Sequence, residues 1–162
     1  MKNVKYPEVW DLDVFFEGGS ASPQLKEHIE NLNPKLDVLK EMVEKFDVPT
    51  NTDAALSIQS ILENIKEVMM HVSQAGAMLS CLTAQDTTDR EALLLQGQLS
   101  GISANFSPIL ESFNQKLGKI DEATFAALLN TAELSQFEFI LTEWREKSKE
   151  SLSEEEEALI CS

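Results

Sequence analysis

The two histidines are the first residues that could serve a catalytic or metal site, and their spacing argues against both roles. A zinc peptidase helix carries two histidines at i and i+4 with a glutamate between them, because this spacing places both imidazoles on one helix face. His28 and His71 are far apart in the sequence. A di-iron bundle requires Glu-x-x-His pairs, whereas Glu67 and His71 stand at i and i+4. We therefore expect both histidines to lie at the surface or between packed helices.

Nucleophilic and acid–base catalysis also lack a supporting pattern. Ser73, Ser80 and Ser100 have no His/Asp partners around them, and a serine within a helix usually faces solvent or bonds to the carbonyl four residues earlier. The acidic residues are spread over helix starts and solvated faces, with no close pair suited to general acid–base work. The sequence therefore predicts no catalytic, cofactor-binding or metal-binding residue in this chain.

Two further patterns admit both a binding and a structural interpretation. Met69, Met70 and Met78 could form an adaptable binding face, but filling of the core is favoured because Met69 and Met78 flank an apolar seam. Gly97 and Gly101 are spaced as in the membrane helix-packing motif. Because glutamine and serine surround these glycines, the spacing favours a close contact between helices of a soluble protein.

The composition is strongly acidic, with 28 Asp and Glu against 13 Lys and Arg and a formal charge of −15. Such a chain is repelled by nucleic-acid phosphates and anionic lipids, so neither nucleic acid nor a membrane is expected as a partner. No apolar run approaches the length of a membrane span, and the N-terminus lacks the apolar region of a signal peptide. We interpret Cys81 and Cys161 as reduced, unpaired thiols of a cytoplasmic protein.

The hydrophobic pattern predicts an all-α fold. Apolar residues recur at spacings of three and four over long stretches, while hairpin-turn signals for β-strands are lacking. After an extended lead-in, the predicted helices occupy residues 22–46, 52–84, 88–117, 121–131 and 134–150. Pro34 and Pro108 fall inside two of these helices and leave open whether each is kinked or broken.

The second and third helices should form a long antiparallel hairpin, because the turn between them is short. At 1.5 Å per residue the second helix would measure about 45 to 50 Å. Thr88 and Glu91 are spaced as a capping box, and Gly118 is suited to a helix end with positive φ. The whole chain, 1–162, is predicted to be one domain in the form of an elongated bundle, with 1–21 as its lead-in.

The last segment, 153–162, reads as the start of another helix. Ser153 and Glu156 form a potential capping box, and glutamates suit the positive end of a helix dipole. Two turns are too few for a stable isolated helix. We therefore expect the chain to be truncated within its last helix and to be a piece of a longer protein.

Three segments in the same order resemble the N-terminal part of bacterial oligoendopeptidase F, a zinc metallopeptidase family related to thimet oligopeptidase. The opening Trp10-Asp-Leu-Asp-Val-Phe15 is similar to the family's Trp-Asp-Leu motif. The stretch from Ala75 to Ala92, centred on Leu82-Thr-Ala-Gln-Asp-Thr-Thr-Asp89, resembles its helix-turn-helix. Finally, Leu152-Ser-Glu-Glu-Glu-Glu157 resembles a helix start that follows basic residues, here Arg145, Lys147 and Lys149.

The resemblance implies a non-catalytic, all-helical N-terminal domain. In the full enzyme this domain would help wall a channel that admits short peptides to the metal site. The zinc ligands would lie in a His-Glu-x-x-His helix downstream, so the expected partners are the missing C-terminal catalytic domain and oligopeptide substrates. Zinc is a cofactor of the parent protein under this interpretation, and no residue of this chain binds it.

Two alternatives remain at this point. The chain could be a stand-alone helical interaction module that binds a partner helix through its methionine-bearing or aromatic face, or a self-associating coiled coil. In addition, if the chain is a fragment, an apolar surface left bare by the missing domain could make it dimerise.

Overall fold

The computed structural model describes the backbone of residues 16–160 and the side chains of residues 16–151. The described residues are helical and include no strand, which confirms the all-α prediction. Most of the predicted lead-in, 1–15, lies outside the described residues. The helices are α1 (Pro23–Glu30), α2 (Leu32–Lys45), α3 (Ala55–Gln85), α4 (Arg90–Gly118), α5 (Glu122–Leu129) and α6 (Glu138–Ile160), with short 3-10 turns at Gly19–Ala21, Thr52–Ala54 and Ser135–Phe137.

The hairpin of α3 and α4 carries most of the core. The turn 86–89 reverses the chain, so the two long helices run antiparallel with their apolar seams facing each other. The seams are completed on one side by α1 and α2 and on another by α5 and α6. Every helix contributes fully buried large side chains, among them Leu25, Leu39, Ile61, Leu79, Phe113, Leu128 and Leu141.

The two prolines have different effects on their helices. Pro34 lacks the N–H that would donate to Glu30, and the predicted helix 22–46 divides at Asn31 into α1 and α2. Pro34 then stands in the first turn of α2, where its missing donor costs little. Pro108 leaves α4 continuous; Pro108 and Ala104, whose carbonyl loses its donor, are both exposed, so water can hydrate that carbonyl.

Two predicted helix ends are wrong in detail. The predicted capping box does not form, because the Thr88 hydroxyl donates to Asp86 Oδ1 at 2.6 Å and Asp89 caps α4 by accepting from Ala92 N–H at 3.0 Å. Gly118 is the last residue of α4 but does not have positive φ. The chain instead leaves the helix through Lys119, whose N–H bonds to the carbonyls one turn before it.

The predicted helix start at Ser153 is also wrong. Residues 138–160 form the single helix α6, which passes through Ser153 without a break. Neither glycine nor proline occurs in this range, so nothing in the backbone forces the helix to end before the serine. A Ser-x-x-Glu spacing can cap a helix only where the preceding residues are not already helical.

The C-terminal end of α2 is held by a lysine from α4. The Lys116 ammonium donates to the carbonyl oxygens of Val43 and Phe46, both at 2.6 Å, and lies 3.4 Å from that of Glu44. The Val43 carbonyl also accepts from the Phe46 N–H at 3.3 Å, and carbonyls at a helix end lack the intrahelical donors of the earlier turns. A cation at this position also opposes the negative end of the helix dipole.

We expect Lys116→Met to lower the free energy of unfolding by about 1 to 3 kcal/mol, because carbonyls in a partly buried place lose a charged donor. Urea unfolding followed by circular dichroism measures the change. The matched control is Lys119→Met, which removes an exposed lysine three positions along the chain. Equal losses in the two variants would contradict the role assigned to Lys116.

Candidate functional site

The two histidines meet between α1 and α3. Their ring centroids are 4.8 Å apart in an edge-to-face arrangement, and His28 Nε2 donates to the backbone carbonyl of His71 at 3.1 Å. The Phe16 ring packs edge-on against His28 at 5.4 Å. The expectation that the histidines lie at the surface or between packed helices agrees with this position, but their spacing in the sequence does not predict that they meet, because the contact between α1 and α3 creates the pair.

Glu67 is the acidic neighbour of this histidine pair, and it is already paired. It forms an ion pair with Lys35 of α2, and this hydrogen bond and charge hold the pKa of Glu67 below its ordinary value. The pKa of His71 is lowered chiefly by burial, and then by the charges of His28 and Lys35, which outweigh the opposing effect of Glu67. His71 is therefore neutral at pH 7 and contributes packing rather than charge.

The described residues offer no ligand set for a metal ion. In the part of the chain with described side chains, 16–151, no three His, Cys, Asp or Glu residues lie close enough together to hold one. His28 is committed to a backbone carbonyl, and Glu67 to a lysine.

The lowered pKa of His71 makes stability depend on pH. Its folded pKa lies below the unfolded value of about 6.5, so below that pH the unfolded chain binds the proton more readily. The free energy of unfolding should therefore fall as the pH is lowered from about 7.5 to 5.5, and His71→Gln should flatten this dependence. Urea unfolding at several pH values in this range, with wild type and His71→Gln compared, tests this.

A buried arginine joins α5 to α6. Arg145 is 6 % exposed, donates to the Ile120 carbonyl at 2.7 Å and to Glu122 Oε1 at 3.2 Å, and stacks 4.5 Å from the centre of the Phe125 ring. Lys149 adds a second cation 2.7 Å from the same glutamate oxygen. Hydrogen bonds from these two side chains lower the pKa of Glu122. This arrangement fixes the turn between α4 and α5 against α6.

The helices α4 and α6 approach each other closely where Gly118 of α4 faces the Ser148 side chain of α6. A Cβ built at Gly118 would lie 2.7 Å from Ser148 Oγ and 3.3 Å from Ser148 Cβ. Beside this contact a cleft of about 240 Å³ is lined in part by Asn114 and Ser148, whose buried Oδ1 and Oγ atoms have no protein partner. Such atoms are normally hydrated, and the cleft has room for water.

Gly118→Ala should destabilise the chain by about 1 kcal/mol or more, because the new methyl group meets Ser148. The matched control is Gly101→Ala in the same helix, where a Cβ would have nothing within 4 Å. This control should stabilise by about 0.5 to 1 kcal/mol, since alanine is the better helix former. Thermal unfolding decides the signs, and two changes of the same sign would contradict the contact.

The prediction of a close helix contact at Gly97 and Gly101 is wrong, because neither glycine has a neighbour within reach of a Cβ. The prediction that methionines fill the core holds for Met78, which is 4 % exposed, but Met69 and Met70 are about half exposed.

The two glycines and the two exposed methionines belong to a larger surface without charged side chains. No Asp, Glu, Lys or Arg occurs in 68–85 of α3 or in 92–110 of α4. We call the exposed side of these two stretches the neutral face.

A shallow groove runs along the neutral face between the two helices. It is lined by residues that are mostly small: Gly76, Ser80, Leu93, Gln96, Gly97, Leu99, Ser100 and Ser103. Leu93, one of these lining residues, is 49 % exposed, and its neighbour in the sequence, Leu94, is 57 % exposed. None of the helices in the described part of the chain is long and apolar enough to cross a membrane.

Comparison with known proteins gives one family match. Residues 116–161 match the N-terminal family model of peptidase family M3, described as oligopeptidase F. The resemblance to oligoendopeptidase F is confirmed. No curated protein and no solved structure matches the chain.

The oligopeptidase F match covers the end of α4 and all of α5 and α6. It therefore contains the Arg145 cluster and the contact between Gly118 and Ser148. The other two segments of the resemblance fall outside it, and 10–15 lies outside the described residues as well. The residues that orient α6 are thus in the segment that matches the oligopeptidase F model.

Proposed function

We propose that this chain is the non-catalytic N-terminal domain of a zinc-dependent oligoendopeptidase. The observation that carries the proposal is the match of residues 116–161 to the M3 N-terminal model. Peptidases of this family are generally zinc-dependent. The described residues do not supply a ligand set for zinc, so under this proposal the metal belongs to the rest of the peptidase.

The histidine and glutamate side chains that could take part in catalysis or bind a metal make structural contacts instead, and this supports a structural role for the domain. The histidines pack against each other, Glu67 is paired with Lys35, and Glu122 is paired with two cations of α6. Hydrolysis at a zinc site requires three protein ligands and an open position for water or substrate. The functional contribution of this chain would therefore be its shape.

We further propose that the domain walls a channel for short peptides. Support comes from the hairpin of α3 and α4, whose longer helix measures about 46 Å at 1.5 Å per residue. Its continuous buried seam makes it a stiff element, and a stiff wall can exclude folded proteins by size alone. The exposed thiol of Cys81, which forms no disulfide, suits the reducing cytoplasm proposed for the parent enzyme.

Peptidase assays test both parts of the proposal. The purified chain should not hydrolyse a fluorogenic oligopeptide with or without added zinc, because it supplies no ligand set. Zinc-dependent turnover that is abolished by replacing a residue of this chain would overturn the non-catalytic role. An inactive chain with no effect on the parent would overturn the channel role.

The effect of this domain on the parent enzyme is measured by comparing the cleavage of short peptides with the cleavage of folded proteins. The full-length peptidase should cleave short peptides and spare folded proteins, whereas a parent lacking residues 1–162 should lose this discrimination if it retains zinc. The folded state and zinc content of the shortened enzyme serve as controls.

The reading frame downstream of Ser162 must also encode a His-Glu-x-x-His helix, and its absence would remove the basis of the proposal.

A further inference from the structure

The groove of the neutral face continues the same side of α4 on which α6 lies. Ser107 and Asn114 line the cleft against α6, and Gly118 faces α6 directly. Ser103 and Ser100 of the groove precede Ser107 at spacings of four and seven residues, which keeps all five residues on one side of the helix. The cleft and the groove are therefore two parts of one stripe along α4.

The direction of α6 leads it along this stripe toward the groove. Ser148 lies against Gly118, and Ser151 lines a cleft that extends along α4 from Gln115 to Ser107, so the two helices run antiparallel. Nine residues after Ser151, the end of α6 at Ile160 is level with a residue between about 98 and 106 of α4, because both helices rise 1.5 Å per residue.

The part of the groove nearest the hairpin turn lies beyond that level. With α6 in place, Gly97 and Ser100 are exposed and Leu93 is 49 % exposed. Leu93 is about 8 to 20 Å further along the stripe than the end of α6. Among the described residues, α6 therefore approaches the groove and leaves these three positions uncovered.

We propose that the segment of the parent peptidase that directly follows Ser162 covers this groove, by continuing the path of α6 along α4. This inference rests on the proposed function, because an N-terminal domain is followed by the rest of its chain. The uncovered distance requires only about 5 to 13 helical residues. A segment attached next to the groove also has a high effective concentration there, which favours it over a separate molecule.

The lining of the groove determines what this segment presents to it. No charged residue occurs in 68–85 or 92–110, and the lining residues are mostly small. Small residues let a second helix approach closely, as Gly118 does for α6. A charged side chain pressed into the groove would lose water without gaining a partner. We therefore expect small or apolar residues on the covering side of the segment, spaced three or four positions apart.

Site-specific photo-cross-linking in the full-length parent tests the position of this segment. With p-benzoylphenylalanine in place of Leu93, mass spectrometry should find cross-links to the first 20 or so residues after Ser162. The matched control places the same probe at Leu56, an exposed leucine near the start of α3 and 66 % exposed. The Leu56 probe should not react with that segment, because it lies outside the neutral face.

Several cross-linking results would overturn the proposal. A Leu93 probe that reacts only with a distant part of the parent, with a second copy or with a bound peptide would assign the groove to another occupant. A Leu93 probe without any protein cross-link would show an open groove. Equal reaction of the two probes with the segment after Ser162 would show contact without the predicted position.

Thiol accessibility provides a second readout. With Cys81→Ser and Cys161→Ser as background, a Ser100→Cys thiol should react with a maleimide in the 162-residue chain within about threefold of its rate in urea. In the parent the reaction should be roughly tenfold slower or more, because the groove is covered. Circular dichroism checks that the variants are folded.

Equal rates in the 162-residue chain and the parent would overturn the proposal. Slow reaction in the 162-residue chain would overturn it as well. Protection that is independent of concentration would assign the cover to the end of α6, and protection that grows with concentration would assign it to a second copy.

These outcomes are distinguishable from a failure of the proposed function. A parent that cleaves peptides with zinc but gives the wrong cross-links would overturn only the assignment of the groove. A parent without zinc-dependent cleavage would overturn the proposed function, whichever segment the Leu93 probe reaches.

Discussion

The apolar seam between α3 and α4 is the interaction on which the other elements depend. Isolated α1 and α5 have only two turns each and could not persist in water without a surface to pack on. The seam supplies that surface, and side chains from α1, α2 and α5 complete its burial. The polar contacts then fix positions on it. Lys116 holds the end of α2, and Arg145 holds α5 against α6.

The fold class and the hairpin follow from sequence because they depend on periodicity. The seam residues repeat at heptad spacing, and such a pattern forms an antiparallel pair when the turn is short. Helix ends are less predictable, since a motif can cap a helix only if the neighbouring residues leave it. Ser153 has the motif but lies within a continuous helix, and Thr88 gives its hydroxyl to Asp86 instead.

The contacts between distant helices were beyond prediction for a different reason. His28 and His71 meet because α1 crosses α3, and no local spacing encodes that crossing. A weak signal existed, since each histidine adjoins an apolar residue of its helix, Ile29 or Val72. Arg145 likewise stands one turn after the buried Leu141, which places a cation on an apolar stripe. The charge-free stretches could be read directly from the sequence, but their union into one face required the hairpin.

The unbroken path of α6 has a mechanical consequence. A helix of this length measures about 34 Å, and Arg145 and Ser148 are buried at about its middle. With no hinge along the helix, a displacement of its far end becomes a rotation about those buried residues. A displacement of the far end of α6 would therefore be transmitted to the turn between α4 and α5, and both lie in the segment that matches the oligopeptidase F model. A partner that binds the end of α6 would also affect the position of Glu122 and the Phe125 ring, because both contact Arg145 of this helix.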